Sequence, residues 1–245
     1  MSGIGARFAP AAALVCGVST VPATAQVPAE LEQLEPGPGK VQFESQSVFG
    51  TGRDGERGTQ SFGIAYGLTD RLVIGAEVEG ERRGIGVGID EFELSALYRL
   101  APADSAVGLA VGLAAAMTSS GRFDGTELRL RADDRGEHWL IQGNVMLRRA
   151  RADEDDASGF STRLAGVANI SRDVGRGIAL GLEGSGGFGL LSQRRGERGG
   201  WFLGPAATIE FEPQGREVEL GIVGSARIAG AGPETSLRVF VQLGL

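Results

Sequence analysis

Cysteine is almost missing from this chain of 245 residues, with Cys16 the only one. That excludes a disulfide framework, a thiolate metal site and a cysteine nucleophile in anything downstream of it. Histidine is equally scarce. His138 stands alone, so a structural or catalytic zinc site has too few ligands. Basic residues do not dominate either. Twenty-four Lys and Arg against 31 Asp and Glu give a net charge of -7, which argues against a nucleic-acid partner. After the N-terminal segment there is no apolar run of eighteen residues. The longest candidate, residues 106–117, is too short to cross a bilayer as a helix.

The N-terminus is organised differently from the rest. MSGIGARFAPAAALVCGVSTVPATAQ has a positive Arg7, an apolar stretch broken by Pro10, and the small-x-small pattern Ala23-Thr24-Ala25. It predicts a secretory signal peptide over residues 1–25, which also takes Cys16 out of the mature chain. Removing Arg7 moves the net charge to about -8. Residues 26–39, QVPAELEQLEPGPG, are polar and end at Pro36 and Pro38, and are expected to form a periplasmic extension. PGPGK lacks the spacing and the following helix of a phosphate loop.

From residue 40 to 245 the pattern has a period of two. In QSFGIAYGLTDRLVIGAEVEG, Phe62, Ile64, Tyr66 and Leu68 share one face, while Ser61, Gly63, Ala65 and Gly67 share the other. Thr69 and Asp70 turn the chain. Leu72, Ile74, Ala76 and Val78 then alternate with Arg71, Val73, Gly75, Glu77 and Glu79. Two such runs around a tight turn are a β-hairpin. One face is apolar and the other is small or charged, which fits lipid on one side and a polar lumen on the other. The unit recurs to Leu245 and predicts a single all-β domain, an antiparallel transmembrane up-and-down β-barrel of about 12 strands. The 41 glycines show no collagen period and many fall on the inward phase, where a curved wall needs small residues. Pro205, inside a strand that a barrel leaves without an edge, is expected to mark a bulge.

Several side chains take positions with a role in this scheme. Phe43, Tyr66, Tyr98, Trp139 and Phe211 point outward near the expected periplasmic ends of their strands, and Phe49, Phe62, Phe92, Phe160 and Trp201 near the external ends. They predict two aromatic girdles. Glu44, Glu77, Glu79, Glu91, Glu93, Glu217 and Glu219, with Arg99, Arg129, Arg131, Arg163, Arg227 and Arg238, are the candidate lumen-lining charges. They can pair and fill the lumen or line a water path. Compact turns, such as Thr69-Asp70, are expected to alternate with longer charged external loops at residues 51–59, 79–86, 118–125, 149–158 and 187–200.

The hairpin YGLTDRLVIGAEVEG and the later stretch WFLGPAATIEFEPQGREVELGIVGSARI resemble small proteobacterial outer-membrane β-barrels of the transporter or MetA-pathway phenol-degradation type. The resemblance implies an outer-membrane location and a transport role, and carries over no functional residue. The expected partners are outer-membrane lipid, lipopolysaccharide and the barrel-assembly machinery, and the lumen's charges with its alanine- and glycine-rich patches admit a small hydrophobic solute as cargo.

The remaining motifs read as structure. His138 adjoins a short turn and is expected to be solvated there, which leaves no nucleophile–base pair and no enzyme. Gly184, Gly186 and Gly189 spell GxGxxG without the helix that a dinucleotide loop requires. Asp153, Glu154, Asp155 and Asp156 lack the spacing of a calcium loop. They and Arg194, Arg195 and Arg198 are expected in external loops, where divalent-cation bridges or lipid phosphates offer contacts. No cofactor is expected. The expected function is passive or facilitated passage of small solutes across the outer membrane. The alternative is a plugged structural or surface-interaction barrel.

Overall fold

The computed structural model describes residues 36–52, 55–83, 86–102, 105–151, 160–190 and 199–245. The expected signal peptide, most of the segment at 26–39, the acidic run at 153–156 and Arg194, Arg195 and Arg198 lie outside them.

Twelve strands follow one another: β1 Val41–Gly52, β2 Gly55–Gly67, β3 Leu72–Arg83, β4 Gly86–Arg99, β5 Val107–Thr118, β6 Phe123–Arg135, β7 Trp139–Arg151, β8 Phe160–Gly175, β9 Ile178–Leu190, β10 Trp201–Phe211, β11 Val218–Ala229 and β12 Thr235–Gly244. Each pairs antiparallel with its sequence neighbours, and β1 closes on β12 from Gln42↔Gly244 to Thr51↔Thr235. Closure removes the free edge that an open sheet would expose. At the seam Val41 N–H donates to Leu245 O at 3.1 Å and Leu245 N–H to Val41 O at 2.8 Å. We call the end holding these residues the terminal rim and the other the far rim.

The outer surface is apolar. Phe62, Ile64, Leu94, Leu113, Val145, Leu182 and Ile222 are each more than a third exposed. The inward phase of the same strands holds Ser61, Asn144, Glu183 and Gln242, all buried. This inversion of the usual order, oily outside and polar inside, is stable only with lipid around the wall. Three polar side chains on the outer face of β1 and β2 satisfy one another. Ser47 Oγ donates to Gln60 Oε1 at 2.5 Å, and Gln60 Nε2 donates to Ser45 Oγ at 3.2 Å. Such pairing matters because an unsatisfied group in hydrocarbon costs several kcal/mol.

All ten aromatics of the expected girdles are outward. Nine are exposed, and Phe160 is half-buried with the Arg149 guanidinium 5.7 Å from its ring centre.

Three expectations need correction. Residues 51–59 and 79–86 are not long loops. β1 runs to Gly52 and β2 begins at Gly55, while β3 runs to Arg83 and β4 begins at Gly86. Beyond the lipid a paired strand tolerates charge on both faces, so the charged residues there do not end it. Pro205 marks no bulge. The β10–β11 ladder skips Gly204 and Pro205 and resumes at Ala206 in the same register, while the register shift lies between Trp201 and Phe202. The lost N–H is accommodated by a gap, at a point where a Cβ on Gly204 would sit 1.8 Å from Gly224 O. The GxGxxG glycines lie within β9 rather than partly in a loop.

Thr69 shows how the central turn is made. Its side-chain oxygen accepts from Arg71 N–H at 3.2 Å and Leu72 N–H at 3.0 Å, the local bonding that lets threonine hold a turn. Before β1, Pro36–Gly39 folds against the lumen side of Gly67. Gly39 N–H donates to Gly67 O at 2.7 Å, and Arg99 Nη2 donates to Pro36 O at 3.0 Å. Any side chain at Gly67 would meet Gly37 O at 1.9 Å.

Candidate functional site

The lumen wall is the inward phase of twelve strands, so its chemistry follows from strand register. Glu44, Glu77, Glu79, Glu91, Glu93, Arg99, Arg129, Arg131, Arg163, Glu219, Arg227 and Arg238 sit on that phase, half-buried or buried. Glu217 keeps the phase but stands just before β11, exposed at the terminal rim.

Several of these charges are tied together. Arg129 donates to Glu93 at 2.6 Å and also to Glu127. Nearer the far rim Arg148 donates to Glu91 and lies 3.4 Å from Asp124. Arg238 donates to Glu183 at 2.5 Å, and both side chains are buried. Arg227 donates to Gly232 O. Arg129–Glu93, Arg148–Glu91 and Arg238–Glu183 each join strands that are not neighbours in the wall, so those partners meet through its curvature. A charge in a low-dielectric wall is costly unless paired, which is why the guanidinium groups find carboxylates.

Glu127, Arg148 and Glu183 share the inward phase but were not among the candidate charges. Their period-two spacing from Arg129, Asn144 and Gly181 was the available signal. The lumen also contains two phenylalanines, Phe240, whose alternation with Val239 and Val241 already puts it inward, and Phe202, which sequence reasoning did not single out. Phe202 is 2 % exposed. Phe240 covers Gly221, where a Cβ would lie 2.0 Å from the ring, and the Arg238 guanidinium is 5.7 Å from its centre.

Among the described residues, two of the cavities along this wall bear on its chemistry. The larger, about 600 Å³, is at the terminal rim and reaches Asn169, Glu183, Arg238 and Gln242. The smaller, about 90 Å³, lies between Glu44, Glu77, Arg129 and Arg131. Val73, Leu97 and Ala110 form a small buried apolar cluster on the inward phase, with Ala65 against it. His138 lines the larger cavity from the rim. Its side chain is well exposed, with Nε2 4.0 Å from Glu137, and its carbonyl accepts from Asp173 N–H at 3.0 Å. No group of three or more potential metal ligands occurs among the described residues.

No family model matches the chain. Comparison with curated proteins finds no match either. Among solved structures the chain is similar to NanC porin, with a TM-score of 0.57, 9% identity, and coverage of 82% of this chain and 98% of that one. It is similar to KdgM porin, with a TM-score of 0.52, 12% identity, and coverage of 83% and 97%. An outer-membrane channel from Pseudomonas putida F1 has a TM-score of 0.56, 14% identity, and coverage of 89% and 98%. At such identities the likeness concerns the fold. Together with the apolar outer face, it makes this chain an outer-membrane β-barrel of porin-like architecture.

Proposed function

We propose that the protein is a passive outer-membrane channel for small solutes, with its terminal rim in the periplasm. The observation that carries this reading is the polar cavity of about 600 Å³ inside a wall whose outer face is apolar. A barrel that only anchored its loops would have no need of such space. The channel architecture of the similar structures supports the reading by analogy of fold. Val73 and Leu97, which line the smaller cavity, support a solute range that includes weakly polar or hydrophobic molecules. Lipid and lipopolysaccharide around the wall, and the assembly machinery acting on β12, are the proposed partners. The reading assigns no catalytic step to any residue.

The plugged barrel is the second reading. Its support is the Arg238–Glu183 pair, which bridges β12 and β9 on the lumen side and lines the larger cavity. Liposome swelling separates the two. Vesicles containing the purified protein should swell in isosmotic solutions of small neutral solutes, faster for smaller ones. Swelling no faster than in protein-free vesicles would support the plug.

A further inference from the structure

Strand register places five glutamates of the lumen in a single row. Glu210 on β10 pairs with Glu219 on β11, and Glu219 pairs with Gln242 on β12. Gln242 pairs with Glu44 on β1, and Glu44 with Gly63 on β2. Gly63 pairs with Glu77 on β3, and Glu77 with Glu93 on β4. Seven strands thus contribute five glutamates, one glutamine and one glycine, and no cation. Barrel strands tilt, so a row of hydrogen-bonded partners climbs as it goes round. This row starts at Glu210, one residue from the terminal end of β10, and reaches Glu93 in the middle of β4. Glu79 and Glu91, directly opposed on the same two strands, extend it towards the far rim.

Both cavities touch the row. Glu210, Glu219 and Gln242 line the larger one, and Glu44, Gly63 and Glu77 the smaller. The larger also meets Glu137, Asp173, Glu183 and Glu217, against Lys40 and Arg238, and Arg238 is bound to Glu183. On the smaller cavity Arg129 is shared between Glu93 and Glu127, and Arg131 is the other cation. Directly opposed like charges, as at Glu210/Glu219, Glu77/Glu93 and Glu79/Glu91, are unfavourable in a sheet unless something positive lies near. A passage lined by one sign within a low-dielectric wall concentrates the opposite ion.

We propose that this glutamate row is the charge-selecting track of the channel, which passes small cations in preference to anions. The inference rests on the channel reading above and names its solute class. Small amines with a modest apolar body suit the smaller cavity, where Glu44 and Glu77 of the row lie with Val73 and Leu97.

The test is the reversal potential of the purified full barrel in a planar bilayer under a KCl gradient. The K⁺/Cl⁻ permeability ratio should exceed one by several-fold. It should rise as salt falls from 1 M to 0.1 M, because the screening length grows from about 3 to about 10 Å. Glu44→Gln with Glu219→Gln should bring the ratio towards one. Glu212→Gln, on an exposed turn outside the row, should leave it unchanged. A parent ratio at or below one would overturn the inference and leave the channel reading intact. Complete absence of conductance would overturn both. An unchanged ratio in the row variant would remove the row from the account. If that variant does not fold, the parent ratio and its salt dependence still decide.

Discussion

Arg238 on β12 donates to Glu183 on β9 at 2.5 Å, with β10 and β11 between them in the wall. The pair is therefore a tie through the lumen that bridges one sector of the wall, three strands wide, rather than a contact between neighbouring strands. Both side chains are about 95 % buried, at 6% and 5% relative exposure, so removing one partner strands a charge. Glu183→Ala should destabilise the barrel by about 3 kcal/mol, read from the urea unfolding midpoint in lipid vesicles. Glu183→Leu with Arg238→Met should recover most of that loss, because neither charge is then buried alone. An unchanged midpoint in Glu183→Ala would show that water already solvates the pair.

Phe240 and Gly221 form a second coupled pair. The ring occupies the space a side chain at residue 221 would need, with the nearest ring atoms 2.0 and 2.1 Å from the built Cβ. Gly221→Ala should cost about 1–3 kcal/mol by overpacking. Phe240→Leu should relieve much of that cost, and a double-mutant cycle measures the coupling. Simple additivity of the two substitutions would mean that the ring is not held on the glycine.

Leu113 tests the outer face. It is 64% exposed in the middle of β5, beside Leu128 and Ala96 on the neighbouring strands. Leu113→Arg should lower the stability of the vesicle-inserted barrel by about 2–4 kcal/mol, the cost of an arginine facing lipid near the midplane. Ala114→Ser, on the inward phase of the same strand, should have a much smaller effect. Equal tolerance of both changes would be inconsistent with lipid on the Leu113 side.

The alternation of Phe62, Ile64 and Tyr66 with Ser61, Gly63 and Ala65 was enough to assign the two faces, because lipid and lumen demand opposite residue types at every step. Twelve strands and closure followed from repeating that pattern. Strand ends were less legible. Arg57 and Glu81 look like loop residues, yet a hairpin projecting into water can keep them in register. The partners inside the lumen were not legible. Glu183 meets Arg238, and Glu93 meets Arg129, only through the register and curvature of strands far apart in sequence. The glutamate row has the same origin. Along the sequence, each of its glutamates is between 9 and 117 residues from the next, and only the ladders align them.

The central claim is that this barrel opens a path through the membrane. The most direct measurement is single-channel recording of the purified protein in a planar lipid bilayer, with Glu183→Ala recorded alongside. The parent should give discrete conductance steps, and the variant larger ones because the tie through the lumen is cut. Contradiction would come from a parent protein that is fully inserted, shown by protection of its strands from protease, and yet electrically silent, whether or not the variant conducts.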